Sequence, residues 1–190
     1  MFETLRDDIR TAQAKDPAAE SAAAVLLTYP GLHAVWLYRL AHALWTRNHD
    51  FPARLVAHIG RFLTGVEIHP GADIGDRLFI DHGMATVIGE TSVVGDDVLL
   101  YHGVTLGGKS MQRTKRHPTL EDGVTVGANA TLIGPVTVGE NATVGAGAVV
   151  VDDVPPETTV VGNPARPLDR ANADADETQS STVTDRSGEE

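Results

Sequence analysis

From Ile68 to Val150 an aliphatic residue recurs at every sixth position. The series runs Ile68, Ile74, Ile80, then Ile88, Val94, Leu100, Leu106, then Val126, Leu132, Val138, Val144, Val150, and seven of these residues precede a glycine. A fixed short period marks a solenoid, and a step of six marks its β-helical form. Hexads this short, rich in Val, Ile and Thr, favour strands over helices. Each hexad makes one flat side with its guide residue inward. Three sides close a coil, and coils stack at ~4.8 Å like paired strands. Each buried guide residue contributes about 1.5–3 kcal/mol. Ala72, Ala130, Ala142 and Ala148, four positions after a guide residue, suit tight corners. Two breaks interrupt the step: two extra residues between Ile80 and Ile88, and a longer insert between Leu106 and Val126.

Around this solenoid the chain divides into three parts. Residues 1–65 read as a small α-helical domain. Leu32, Val35, Trp36, Leu40, Ala43 and Leu44 follow helical spacing after Pro30-Gly31. The alanine-rich stretch from Glu20 to Leu27 favours another short helix. Pro52 suits the first turn of a third helix. Residues 66–167 hold the repeat. Residues 168–190 lose their aliphatics for Ala, Asp, Glu, Ser and Thr and are expected to be disordered.

Composition narrows the function. The net charge of −11 argues against nucleic acid as a partner, because phosphate binding needs a basic surface. With only Lys15, Lys109 and Lys115 as lysines, such an acidic surface also suits high salt. There is no cysteine, hence no disulfide framework and no thiolate metal site. No apolar run is long enough for a signal peptide or a membrane span, so the expectation is a cytoplasmic protein without a membrane partner.

The step of six also brings particular side chains together. His82 and His102 each follow a guide residue by two positions, three hexads apart, so they share one edge in adjacent coils. His82 opens the two-residue break, flanked by Asp81 and by Glu67. Bulged positions re-aim side chains and are common beside active sites. The long insert carries Lys115-Arg116-His117-Pro118. The plainer reading of His102 is a surface residue, and it also covers His33, His42, His49 and His58 in the helical part. A histidine beside a carboxylate is hardware for general-base catalysis, and a nearby guanidinium fork suits a carboxylate. Glu67, Asp81, His82, Arg116 and His117 therefore point to acid–base chemistry on a small anionic or zwitterionic substrate.

The segments GVEIHPGADIGDRLFIDHGMATVIGE, LYHGVTLGG, KRHPTLEDGVTVGANATLIG and VPPETTVVGNPARP resemble serine O-acetyltransferases. The upstream KDPAAESAAAVLLTYPGLHAVWLYRLAHALW is similar to the helical domain of that family, and the likeness covers nearly all of residues 10–167. It implies a left-handed parallel β-helix, a homotrimer or dimer of trimers, and active sites in clefts between neighbouring solenoids. It implies His82 as the base that deprotonates L-serine, with Glu67 as its carboxylate partner and His117 close to the reacting centre. Asp16 and Asp81 would hold the serine ammonium and Arg116 its carboxylate. Acetyl-CoA would lie near Gly107, Gly108, Ala128 and Ala146. No metal is implied.

The expected reaction is direct acetyl transfer from acetyl-CoA to L-serine in a ternary complex, giving O-acetyl-L-serine for cysteine biosynthesis. L-Cysteine is expected as a feedback inhibitor at the serine site. Relatives that dock onto O-acetylserine sulfhydrylase use a C-terminal isoleucine; this chain ends Gly188-Glu189-Glu190, so that partner is not expected. Three rivals stand beside this reading. One is a hexapeptide acetyltransferase for another acceptor such as a sugar or an antibiotic, which would not need Asp16 and Arg116 as paired anchors. Another is a zinc carbonic anhydrase on the same solenoid, using ligands from among His69, His82, His102 and His117. The third is a non-catalytic scaffold.

Overall fold

In the computed structural model, which describes residues 2–168, four helices precede a three-sided parallel β-prism. The helices are α1 (Phe2–Lys15), α2 (Ala22–Thr28), α3 (Pro30–Trp45) and α4 (Asp50–Thr64). The first coil is β1 (Glu67–Ile68), β2 (Asp73–Ile74) and β3 (Phe79–Ile80). The second is β4 (Val87–Ile88), β5 (Val93–Val94) and β6 (Leu99–Leu100), and the third β7 (Thr105–Gly107), β8 (Thr119–Leu120) and β9 (Thr125–Val126). The fourth is β10 (Thr131–Ile133), β11 (Thr137–Val138) and β12 (Thr143–Val144). The fifth has β13 (Val149–Val150), a bridge from Val154 to Val138, and β14 (Thr159–Val161), on which β15 (Arg166–Pro167) folds back antiparallel.

The coils stack into three faces. Face 1 is β1-β4-β7-β10-β13, face 2 is β2-β5-β8-β11, and face 3 is β3-β6-β9-β12-β14 with β15 at its edge. Guide residues pair with guide residues throughout, as in Ile80↔Leu100↔Val126↔Val144. From Ile88 to Val150 the guide residues are 0–2% exposed and form one continuous column. Ala72, Ala130, Ala142 and Ala148 are fully buried at the corners. Arg77, Asp97, Asn129 and Asn141, each three residues before a guide residue, take left-handed backbone with φ near +58° to turn the chain.

The second break ends earlier than the expected Val126. Strand β8 pairs with β5, and Leu120 is 1% exposed, so the prism resumes at Thr119. Leu120 lies one step before Val126, but the insert shifts the phase after Leu106 and Leu120 is followed by Glu121 rather than glycine.

The helices cap the first coil. Gly31, at the start of α3, sits where a Cβ would come within 2.0 Å of the Ile80 carbonyl oxygen, so α3 can approach β3 only through glycine. Tyr38 donates to the Ala72 carbonyl at 2.7 Å and His42 Nδ1 to the Pro70 carbonyl at 2.9 Å. The buried face of α3 is Leu32, Ala34, Val35, Tyr38 and Ala41, whereas Leu40, expected inside, is 54% exposed. The packed face runs through Ala34, Val35, Tyr38 and Ala41, and Leu40 lies off it. Asp8 of α1, 2% exposed, accepts from Trp36 Nε1 at 2.9 Å and from both terminal nitrogens of Arg39. A buried carboxylate requires such pairing. Among the described residues no helix is long and apolar enough to cross a membrane.

Candidate active site

Residues two positions after the guide residues of face 3 stack along its edge with face 1. From the first coil upward that column is His82, His102, Ala128 and Ala146. The rings of His82 and His102 meet edge to face, centroids 6.0 Å apart. His82 has left-handed backbone (φ +59°), as does the following Gly83 (φ +77°). A Cβ on Gly83 would lie 2.8 Å from Val66, which leaves glycine as the residue that fits this bulge. Left-handed backbone at a non-glycine residue costs about 1–3 kcal/mol and clusters at functional sites. Here it holds the His82 side chain 76% exposed on the prism edge.

Two carboxylates approach this edge. Asp81 Oδ2 lies 3.7 Å from His82 Nε2, an ion-pair distance too long for a hydrogen bond. Asp16, just after α1, accepts the Tyr29 hydroxyl at 2.6 Å and the Ala18 N–H at 2.8 Å. The Tyr29 hydrogen bond, followed by the Ala18 N–H, holds the Asp16 carboxyl below its ordinary range, and nearby His82 adds to the effect. Both Asp16 and Asp81 are therefore placed to face a cation at this edge.

Glu67 projects from β1 and pairs with Arg61 of α4 at 3.3 Å, both side chains about half exposed. They line a cleft of about 290 Å³ with Arg54, His58 and His69. Within one chain, then, Asp81 rather than Glu67 is the carboxylate within 4 Å of His82.

The other edge of face 1, toward face 2, carries a second cluster. The insert folds back so that His117, 8% exposed, lies against Gly89 and Gly108; a Cβ at Gly89 would meet its ring at 2.0 Å. Arg116 Nη2 donates to Glu90 Oε2 at 2.6 Å. Burial, then the charge of Arg116, holds the His117 imidazole below its usual range, so it is neutral at neutral pH. Gly107 closes β7 beside this cluster. Three buried side-chain polar atoms have no hydrogen-bond partner among the described residues: Arg116 Nε in this cluster, His102 Nδ1 on the other edge, and Ser92 Oγ. The same residues contain no group of three or more His, Cys, Asp or Glu side chains placed to hold a metal ion.

Residues 117–152 match the family model of the bacterial transferase hexapeptide (six repeats). The chain is 54% identical over 166 residues to a serine acetyltransferase of Mycobacterium tuberculosis, covering 87% of this chain and 72% of that one. The chain belongs to the serine acetyltransferase family. Solved serine acetyltransferases share its fold. That of Neisseria gonorrhoeae in complex with serine superposes with a TM-score of 0.85 at 40% identity, covering 88% of this chain and 69% of that one. That of Brucella abortus in complex with coenzyme A gives 0.85 at 38%, covering 88% and 67%.

Three residues of this candidate site escaped sequence reasoning. Tyr29 holds Asp16, Glu90 holds Arg116, and Thr91 holds His117. Thr91 carries no signal of its own in a repeat rich in Thr, and Tyr29 lies outside the repeat altogether. Only Glu90 had a positional cue, since it stands two residues after guide Ile88, as His82 does after Ile80.

Proposed function

We propose that this chain transfers the acetyl group of acetyl-CoA to the hydroxyl of L-serine, giving O-acetyl-L-serine, within a left-handed β-helix assembled as a trimer or a pair of trimers. The observation that carries this reading is the split of the charged groups between the two edges of face 1. The acids Asp16 and Asp81 stand with His82 on one edge, and the guanidinium of Arg116 stands with His117 on the other. A side of six residues is up to about 20 Å long, too wide for one amino acid to bridge. A cyclic neighbour presents its opposite edge across a heterologous interface that closes into a ring. Serine would then lie between the Asp16/Asp81 edge of one protomer and the Arg116/His117 edge of the next.

In that cleft His82 takes the serine hydroxyl proton as the oxygen attacks the thioester carbonyl. The tetrahedral intermediate collapses with loss of the CoA thiolate, which recovers the proton from His82. Glu67 supports the imidazolium that forms. Its present pair with Arg61 is largely exposed and worth no more than about 1 kcal/mol, so exchanging Arg61 for His82 costs little. Acetyl-CoA lies along the cleft, past Ala128 and Ala146 on one wall and Gly107 and Gly108 on the other, where small residues permit close approach. L-Cysteine offers the same ammonium and carboxylate to the same anchors and competes with serine.

The test is thiol release from acetyl-CoA with and without L-serine. Serine-dependent release should fall about 10²–10⁴-fold in His82→Ala, the usual worth of a positioned base. Near-normal release in that variant, or equal release with a sugar acceptor in the native enzyme, would reject the reading.

A further inference from the structure

Thr91, at the corner after β4, receives hydrogen bonds from three consecutive residues of the insert. Its carbonyl accepts Lys115 Nζ at 2.7 Å. Its hydroxyl oxygen accepts the backbone N–H of Arg116 at 3.0 Å and of His117 at 3.1 Å. That oxygen has two lone pairs and one proton. With both lone pairs used, its O–H can only donate, and the atom it faces at 2.9 Å is His117 Nδ1. The backbone N–H of Thr91 points at the same Nδ1 from 3.2 Å. A backbone N–H is always a donor, so Nδ1 must carry a lone pair.

The proton of the neutral ring therefore sits on Nε2, the nitrogen beside Gly108, where a Cβ would lie 3.1 Å from it. We infer that Thr91 is a positioning residue: it locks His117 in the Nε2–H tautomer, so that His117 serves acetyl transfer as a hydrogen-bond donor and cannot act as a second base. The catalytic half of this statement rests on the function proposed above; the tautomer does not. The donor has two possible acceptors in the cleft, the oxygen that becomes negative when the thioester carbonyl is attacked and the carboxylate of the amino acid. Thr91 also joins the second coil to the insert, so one side chain sets Arg116 and His117 together. The Nε2–H group cannot remove the serine proton, which leaves that step to His82 alone.

The experiment is nitrogen NMR of the full-length protein labelled at histidine, with the His117 signals assigned by their loss in His117→Asn. At neutral pH the native protein should show Nδ1 unprotonated and Nε2 protonated. Thr91→Val keeps the shape and the backbone N–H to Nδ1 but removes the hydroxyl bond, so it should weaken the preference enough for some Nδ1–H tautomer to appear and lower kcat about 5- to 10-fold, the loss expected for one hydrogen bond. KM for acetyl-CoA should stay unchanged, and Thr91→Ser should restore both the spectrum and the rate. A protonated Nδ1 in the native protein overturns the proposal with no variant needed. A Thr91→Val protein with a single tautomer and native kcat overturns it as well. The spectrum requires no turnover, so absence of serine-dependent thiol release would overturn the proposed reaction and leave the tautomer assignment standing.

Discussion

The Tyr29 hydroxyl donates to Asp16 Oδ2 at 2.6 Å, and this one bond explains the behaviour of both groups. It pushes the Tyr29 phenol up to about 12 and is the largest influence holding the Asp16 carboxyl below its ordinary range. The other Asp16 oxygen is taken by the Ala18 N–H, so the carboxylate is fixed in direction as well as charge. A fixed anion at the mouth of the His82 edge is what a substrate ammonium requires.

Removing that bond should therefore weaken serine binding and leave the chemistry alone. In Tyr29→Phe the carboxylate stays but can turn, and KM for serine should rise about 5- to 10-fold. The kcat and the KM for acetyl-CoA should hold. Initial rates at varied concentrations of each substrate separate these outcomes; a fall in kcat at unchanged KM for serine would place Tyr29 in the reacting step instead.

Glu67 and Asp81 should fail in different ways. Asp81 is the less exposed, faces His82 at 3.7 Å and stands with Asp16, so Asp81→Asn should raise KM for serine by about 10-fold or more. Glu67 is assigned to the imidazolium that exists only once the proton has moved. Glu67→Gln should lower kcat at least about 10-fold with a smaller change in KM for serine. The reverse pattern would make Asp81 the partner of His82 and Glu67 an anchor.

The prism itself was legible from the chain because its signal is redundant. Twelve guide residues repeat one instruction, and the paired registers put His82 beside His102 as the step of six requires. Leu120 was not legible, since the insert hides the phase. Positions that the repeat does not set were not legible either. Thr91 meets His117 across 26 residues only because the insert folds back, and Arg61 meets Glu67 only because α4 docks on β1. Period carries fold and edge; it carries nothing about which neighbour a loop or helix delivers.

The proposed split of the site between protomers predicts an outcome in mixed assemblies. His82→Ala and Arg116→Ala proteins should each be nearly inactive. Unfolded together and refolded as a 1:1 mixture, they should recover about a quarter of native activity. In a ring, half of the His82 edges and half of the Arg116 edges are intact, and chance pairs two intact edges in one site of four. No recovery on mixing, with assembly confirmed by light scattering, would mean that both clusters serve one protomer alone.

Acid should destabilise the fold through His117 and His69. Burial is the largest cause holding each ring below its usual range. Arg116 and Lys115 act in the same direction on His117 and Glu90 opposes them, while Arg54, His117 and Arg116 lower His69 and Glu90 again opposes. Folding therefore favours the neutral rings. Well above about pH 6.5, the ordinary histidine value, neither the native nor the unfolded histidine is charged, and the stabilisation is complete. Below it the unfolded chain takes up protons that the native rings resist. Stability is then lost as pH falls toward the native values, by up to about 1.4 kcal/mol per pH unit for each ring. Asp16 and Asp97, whose carboxyls are held low, lose their contribution only in more acid solution, so pH 5 to 6.5 isolates the histidines. Urea midpoints measured from pH 8 to pH 5 should fall in the native protein and fall less steeply in His117→Asn. A native protein whose midpoint is flat across pH 6.5 to 5 would show that neither ring is held neutral by the fold.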